Sequence, residues 1–535
     1  MMKKVIKKLL AALLAVAMLC AMAIPAFAGT EGDITTWHSF SAFQIFTGNV
    51  EGNVSNDFKI SNVAWGSNIA DDAAAFLDQL KSADTIGPLF ANAHSAQDVL
   101  EVISQWKDSD ANSIAFARFV CHYLYPNANA NPTPAVTGGS DALTFNEAGY
   151  YLIVDTTPFN HGDFDHAYNS FLLKVTKANW REPITPKAEK PSVEKKVFDN
   201  FDNQDGTSTG VFGSSADHAI NEKFQFQLTA TLPASTDHAY DYYDTYAVCF
   251  KDTLSQGITY DGLDSVVIES KGNPGNRYDI TDSSTIDISK LESQNYFEVN
   301  IADVRKCADA AELDLNAGAT ITVTYTAHLN DNAYVNTGSG STENKNSVQL
   351  QYSNNPRPGE YWGTTPKSEV YVFTYQLNNT KRAEKEDGTP LPGAGFRLYS
   401  DKDCTQEVKL YQKDNFYFPI KDATDKKAVE EMYSDKDGKF NIKGLDAGTY
   451  YLKETKTPDD YSVCADKEIV ISATHDVNHV SLSGNLSTTI INKKAGGITL
   501  PSTGGIGTTL FYVVGGGLMV AAIVLLVTKK RMENK

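Results

Sequence analysis

Lys223-Phe224-Gln225-Phe226-Gln227-Leu228, Ala319-Thr320-Ile321-Thr322-Val323-Thr324-Tyr325 and Ser347-Val348-Gln349-Leu350-Gln351-Tyr352 all read the same way. Apolar and polar residues alternate at almost every step. A period of two sends one set of side chains into a core and the other toward solvent, the mark of a half-buried strand. Turn-forming residues separate the runs, so 191–368 is expected to be an antiparallel β-sandwich. Similar runs occur on both sides. Ala42-Phe43-Gln44-Ile45-Phe46, Tyr150-Tyr151-Leu152-Ile153-Val154 and Ser170-Phe171-Leu172-Leu173-Lys174-Val175 precede it. Residues 369–377, Phe396-Arg397-Leu398-Tyr399, Lys439-Phe440-Asn441-Ile442, Tyr450-Tyr451-Leu452-Lys453 and Glu468-Ile469-Val470-Ile471 follow it. The expected fold class is mainly β: tandem immunoglobulin-like β-sandwich domains over 29–180, 191–368 and 369–494.

The first of these carries a helical insertion. Asp71-Asp72 leads into Ala73-Ala74-Ala75-Phe76-Leu77 and Leu80, an amphipathic pattern. Ser95 is placed to cap a second helix with Val99, Leu100, Val102, Ile103 and Trp106 at helical spacing. A third runs through Ile114, Phe116, Phe119, Val120 and Tyr123. Between the first and second sandwiches, 181–190 holds Pro183, Pro186 and alternating charges, and Pro191 follows, which predicts an extended, solvated linker.

Both ends read as export and anchoring signals. Lys3, Lys4, Lys7 and Lys8 precede an apolar run, and Ala26-Phe27-Ala28 gives a small-x-small cleavage pattern, so 1–28 is expected to be a signal peptide. Residues 500–535 open with Leu500-Pro501-Ser502-Thr503-Gly504, continue with an uncharged run over 510–528, and close on Lys529-Lys530-Arg531. That run matches the ~20 residues needed to cross a bilayer, and the basic stop would stay inside. Pro501 keeps Leu500 out of helix, and Gly504 is bare and flexible, so the pentapeptide can be gripped as a strand.

The chain has 535 residues, with 47 Lys and Arg against 66 Asp and Glu, a net charge of −19. Loss of the basic ends would make the exported part more acidic still. Such a surface repels nucleic acid, which is excluded as a partner. Tyr and Phe, 26 of each, favour strands. Of the cysteines, Cys20 leaves with the signal peptide. Cys404 and Cys464 flank strand-like segments of one small domain and are the expected disulfide. Cys249 and Cys307 share the preceding domain, and their pairing is left open. Cys121 is expected as a buried thiol in a helix. No Cys-x-x-Cys occurs and the histidines lack ligand spacing, so neither metal nor cofactor is expected. Asp435-Lys436-Asp437-Gly438 begins like a calcium loop but lacks the distal Glu, which leaves an Asp-Gly turn. No His-Glu-x-x-His, Gly-x-Ser-x-Gly or phosphate-binding glycine loop is present, so no turnover enzyme is indicated.

The remaining chemistry lies in Lys, Asn and carboxylate residues. Leu377-Asn378-Asn379-Thr380-Lys381, Leu391-Pro392-Gly393-Ala394-Gly395-Phe396, Tyr450-Tyr451-Leu452-Lys453-Glu454-Thr455 and Ile490-Ile491-Asn492 resemble the collagen-adhesin B-type repeat. The resemblance implies an intramolecular isopeptide bond, with Lys381 as nucleophile, Asn492 as amide acceptor and Glu454 as proton shuttle. Residues 191–368 resemble the isopeptide-forming domain of pilus backbone subunits. In Pro191-Ser192-Val193-Glu194-Lys195-Lys196-Val197, strand parity turns Lys195 inward and Lys196 outward. Asp252, in Phe250-Lys251-Asp252-Thr253-Leu254, is the expected carboxylate, and Asn346 is the expected acceptor, with Asn354 the rival. Gly149-Tyr150-Tyr151-Leu152 echoes Gly448-Thr449-Tyr450-Tyr451-Leu452, but Val154 stands where Glu454 would, and no Lys occurs between Gly29 and Lys59, so no such bond is expected in 29–180.

The C-terminal segment resembles the sorting signal of Gram-positive surface proteins handled by sortases, cut between Thr503 and Gly504. Ile184-Thr185-Pro186-Lys187 resembles the pilin motif of sortase-assembled backbone pilins, although Thr185 stands where a Tyr is usual. Lys187 is the implied linking residue. Lys190 is also an amine on the extended segment. Together these resemblances imply a sortase-assembled major (backbone) pilin: a covalent homopolymer of identical subunits, joined Thr503 to Lys187 by a pilus-specific sortase. Minor pilins, peptidoglycan and host surface ligands are the further partners implied. The alternative is a wall-anchored adhesin or basal pilin that is not polymerised through its own lysine.

Overall fold

A computed structural model describes residues 39–495, apart from 52–58, 108–109, 128, 140–141, 158–169, 176–179, 183–189, 203–207, 237, 338–343, 358–361, 477–478 and 484–485. The signal peptide, most of the linker including Lys187, and the C-terminal segment 500–535 lie outside the described residues. Within them, no helix is long and apolar enough to cross a membrane. The chain divides into two compact units, Met1–Thr374 with Thr474–Ser481, and Tyr375–Ala473 with Leu482–Lys535.

The first unit begins with a mainly antiparallel sheet in the order Lys59–Trp65, Ser39–Glu51, Gly149–Asp155, Ser170–Val175, with Val136–Gly139 also on Ser39–Glu51. Alternation along Ser39–Glu51 feeds two cores. Phe43 and Ile45 face the helices Ala73–Lys81, Ala96–Ile103 and Ala111–Leu124, with Phe76, Val99, Phe116 and Val120. Phe40 and Ala42 face Leu143, Phe145 and Tyr151 instead. Because both faces are covered, every residue of Gly149–Asp155 is buried. Ser95 caps the second helix by accepting from the Asp98 amide at 3.3 Å.

Two larger sheets follow in the same unit. One has the order Arg277–Asp279, Ile258–Ser270, Ala319–Leu329, Lys223–Leu232, Ser192–Asp202, Ser208–Gly213. The other runs Ser215–Asp217, Ser368–Phe373, Lys345–Ser353, Val248–Leu254, Tyr296–Ile301, Ser284–Asp287, with Trp362–Thr364 beside Lys345–Ser353. Strict alternation appears where the sequence carries it: in Ala319–Leu329 every second residue is buried.

The second unit also has two sheets. The first runs Leu410–Lys413, Phe416–Pro419, Ile442–Leu445, Tyr375–Ala383, Ser487–Asn492; the second contains Met432–Tyr433, Gly395–Tyr399, Gly448–Lys456 and Lys467–Asp476, of which Thr474, His475 and Asp476 count with the first unit. Its core includes Phe396 stacked on Phe440, with ring centroids 4.3 Å apart. The first strand and the last pair in parallel, Lys381 opposite Ile490 and Ala383 opposite Asn492. The 435–438 turn is an Asp-Gly turn. Asp435 Oδ1 accepts from the amides of Asp437 and Lys439, and Gly438 has φ +74°. A Cβ on Gly438 would lie 2.3 Å from the Lys381 carbonyl, so glycine is required against that strand.

Two expectations are corrected. The run 369–377 is not one strand: it breaks at buried Thr374 between Ser368–Phe373 and Tyr375–Ala383, a break the sequence hides because alternating apolar residues continue across the junction without Gly or Pro. The run 439–442 becomes a strand only from Ile442, with Lys439 making an isolated bridge to Thr380.

Candidate functional site

The first unit buries a lysine between its two large sheets. Parity on Ser192–Asp202 turns Lys195 inward, leaving it 3% exposed, while Lys196 stays partly in solvent and pairs with Glu194. Asp252 comes from Val248–Leu254 and Asn346 from Lys345–Ser353, neighbouring strands of the opposite sheet. Lys195 Nζ donates to Asp252 Oδ2 and, at 3.1 Å, to Tyr325 Oη. Tyr325 donates to Asp252 Oδ1 at 3.1 Å and accepts from Asn346 Nδ2 at 2.5 Å. Asn346 Oδ1 is buried without a hydrogen-bond partner. The Phe226 ring lies 4.9 Å from Nζ.

Burial in this apolar setting dominates the electrostatics. Desolvation lowers the Lys195 pKa to about 8, against the opposing pull of Asp252. Desolvation raises Asp252, with Lys195 and Tyr325 acting against it. Both shifts favour the neutral forms, an amine and a carboxylic acid. Asn354 lies eight positions further along the chain from Asn346, roughly 26 Å in extended backbone.

The second unit holds a similar group. Lys381 and Asn492 are fully buried, and Glu454 is 5% exposed. Lys381 Nζ donates to Asn492 Oδ1 and sits 3.1 Å from Glu454 Oε1. Asn492 Nδ2 donates to the same Glu454 oxygen at 2.7 Å. Glu454 Oε2 accepts from the Cys464 amide at 2.9 Å and from Thr457 Oγ1 at 3.3 Å, which fixes the carboxylate. The Phe396 ring lies 5.2 Å from Nζ. Each group thus sets a primary amine, a carboxyl and a carboxamide together with water excluded. That set can exchange an amide: the amine attacks the carboxamide carbon while the carboxyl moves protons.

Tyr325 was not singled out by sequence. Its inward parity was visible with Ile321 and Val323, but its partners sit on three other strands. The disulfide expected between Cys404 and Cys464 is overturned, because both are free thiols. Cys464 Sγ turns toward Lys381 Nζ, at 3.6 Å, where burial pushes the thiol up to about 11. Cys404 Sγ faces Asp466 Oδ2 at 3.8 Å instead. Cys249 and Cys307 are also free and buried, and Cys121 is a buried thiol in Ala111–Leu124. Val154, at the echo of Glu454, belongs to the helix-facing core. Lys190 is half-buried at the edge of the described residues, and Lys187, Leu500, Pro501, Thr503 and Gly504 fall outside them.

Comparison with known proteins defines a class. Residues 378–485 match the SpaA prealbumin-like fold domain, and 492–534 match the LPXTG cell wall anchor motif. The chain is a mainly β, cell-wall-anchored surface protein with a prealbumin-like domain. Among particular relatives, it is 24% identical over 293 residues to the trypsin-resistant surface T6 protein of Streptococcus pyogenes serotype M6. That match takes in 52% of this chain and 45% of the relative, so it spans about half the length of the curated protein. Among solved structures, the T6 backbone pilin of serotype M6 Streptococcus pyogenes matches at 17% identity with a TM-score of 0.47, covering 86% of this chain and 97% of that one. The full-length major pilin SpaD of Corynebacterium diphtheriae matches at 16% and 0.42, covering 87% and 95%.

Proposed function

We propose that the protein is the backbone subunit of a covalently polymerised, wall-anchored pilus, and that each of its two buried lysine groups closes an intramolecular isopeptide bond. The observation that carries the internal bonds is the dry contact of Lys381 with both Glu454 and Asn492, between the first and last strands of a prealbumin-like domain. The ammonium of Lys381 passes a proton to Glu454 and becomes a nucleophile. Its nitrogen attacks Asn492 Cγ, the amide oxygen is held by the protonated carboxyl, and the second amine proton moves to Nδ2. The Nζ–Cγ bond forms, the Cγ–Nδ2 bond breaks, and ammonia leaves. The reaction runs once per domain and is not turnover.

Lys195, Asp252 and Asn346 follow the same scheme. There Tyr325 stands between the acid and the amide. Turned end for end, the Asn346 carboxamide would accept from the Tyr325 hydroxyl, which would polarise the carbonyl for attack by a Lys195 already inclined to be neutral.

Between subunits, a sortase thiol displaces Gly504 from Thr503, and the Lys187 amine of the next subunit displaces the thiol. Support comes from the anchor motif over 492–534 and from the amine on a proline-spaced linker. Intact-mass measurement of the purified protein tests the internal bonds. The expected mass is lower than that of the processed chain by two molecules of ammonia, with Asn492→Ala and Asn346→Ala each abolishing one loss. An unmodified mass refutes both bonds. Immunoblots of wall extracts with and without the partner sortase test polymerisation. A sortase-independent monomer band would instead favour an unpolymerised wall-anchored adhesin.

A further inference from the structure

Away from both lysine groups, the first unit gathers three potential metal ligands that are far apart in sequence. Asp199 lies on Ser192–Asp202, Asp217 ends Ser215–Asp217, and His475 belongs to Thr474–Ser481. One ligand atom from each falls within 4.8 Å of the others. His475 Nε2 is 3.2 Å from Asp199 Oδ2 and 3.9 Å from Asp217 Oδ1. A tetrahedral ion with bonds of ~2.1 Å keeps its ligand atoms ~3.4 Å apart, so these separations already suit a shared ion.

Two independent observations point the same way. Asp199 is 1% exposed, yet neither carboxylate oxygen has a hydrogen-bond partner. Buried polar groups are ordinarily hydrogen-bonded, so this carboxylate, with only the His475 imidazole beside one of its oxygens, is open to a ligand ion. The imidazole is also oriented from behind: His475 Nδ1 is 2.8 Å from Ser215 Oγ, and its ring stacks on Phe373 at 5.7 Å. With Nδ1–H donating to Ser215, the Nε2 lone pair faces the two carboxylates, as at metal sites where an outer partner fixes the ligand tautomer.

We propose that Asp199, Asp217 and His475 form a binding site for a divalent transition-metal ion of the zinc class. An imidazole beside two carboxylates favours such an ion over calcium or magnesium. Three protein ligands leave a fourth position for water. Bound there, the ion would tie the 474–481 segment to the strands that carry Asp199 and Asp217.

The test is zinc binding by the full-length chain, stripped with a chelator and free of any histidine tag. Calorimetry with ZnCl2 and elemental analysis after gel filtration are expected to give one saturable site. Asp199→Asn and His475→Gln should each weaken it at least tenfold, and Ser215→Ala by about ten- to a hundredfold. His475→Cys should retain binding and add a thiolate-to-metal absorption band with Co2+. Circular dichroism identifies any variant that fails to fold, and Ser215→Ala, which keeps every ligand, serves if others do. The proposal is overturned if the wild-type chain shows no saturable zinc binding, or if His475→Gln binds zinc as the wild type does.

Discussion

At the scale of the residue, the decisive fact is that a lysine and a carboxyl share a dry site. Tyr325 links the Asp252 carboxyl to the Asn346 amide, so removing its hydroxyl should slow bond formation in the first unit. Tyr325→Phe is expected to reduce the rate about a hundredfold, the lower end of what a positioned proton-handling group contributes. Pulse expression followed by intact mass would read this out, with the Lys381 bond as an internal control; equal rates at both sites would remove Tyr325 from the mechanism. Asn346→Ala leaves Lys195 unbonded and titratable. Its folded pKa, about 8, lies below its ordinary 10.5, so the unfolded chain binds more protons across that window. Stability should therefore climb as pH rises from about 8 toward 10.5, by about 3 kcal/mol at most. Asp252 is raised and acts oppositely: its contribution is present in acid and is lost as pH climbs through its folded value. Urea unfolding at stepped pH checks this, and the added change Lys195→Met should abolish the alkaline climb. Strand parity was enough to choose Lys195 over Lys196. The role of Tyr325 was not legible, because a relay is defined by partners that sequence does not place side by side.

At the scale of the element, a parallel pairing of first strand with last needs a long connection, and the proposed Lys381–Asn492 bond would close one spanning 111 positions. A cross-link of that span restricts the unfolded chain by about 4–5 kcal/mol in the loop-entropy account. Asn492→Ala should lower the thermal midpoint of the second unit and expose it to trypsin, while Asn379→Ala, whose buried side chain donates to the Phe440 carbonyl, controls for the loss of a buried amide. Calorimetry that finds no drop for Asn492→Ala beyond the control would count against the bond. The helices of the first unit were legible because their spacing and the Ser95 cap are local. The junction at Thr374 was hidden, since the alternation runs unbroken through it. The Cys404–Cys464 disulfide failed for a related reason: flanking strands in sequence does not decide which way a thiol turns, and Cys464 turns toward Lys381.

At the scale of the whole molecule, the acidic charge and the anchor motif agree on a surface protein, and the proposal that it polymerises rests on the linker lysine. A strain carrying Lys187→Ala should lose the high-mass ladder on immunoblots of wall extract and keep the monomer, while Lys190→Ala keeps the ladder. A ladder that persists in Lys187→Ala moves the joint to another amine. The proposed internal bonds would suit the proposed shaft, since load passing through a subunit would meet covalent ties in addition to hydrogen bonds and packing.

Sequence alone was enough for the mainly β class, the helices of the first unit, the inward turn of Lys195 and the anchor motif. These follow from period-two alternation, local capping and linear motifs, all of which act over a few residues. Only the tertiary structure decided the company those residues keep. Tyr325 between Asp252 and Asn346, the thiol of Cys464 beside Lys381, and His475 between Asp199 and Asp217 are all meetings of distant strands. Such meetings are set by sheet order and by packing between sheets, which no local pattern encodes.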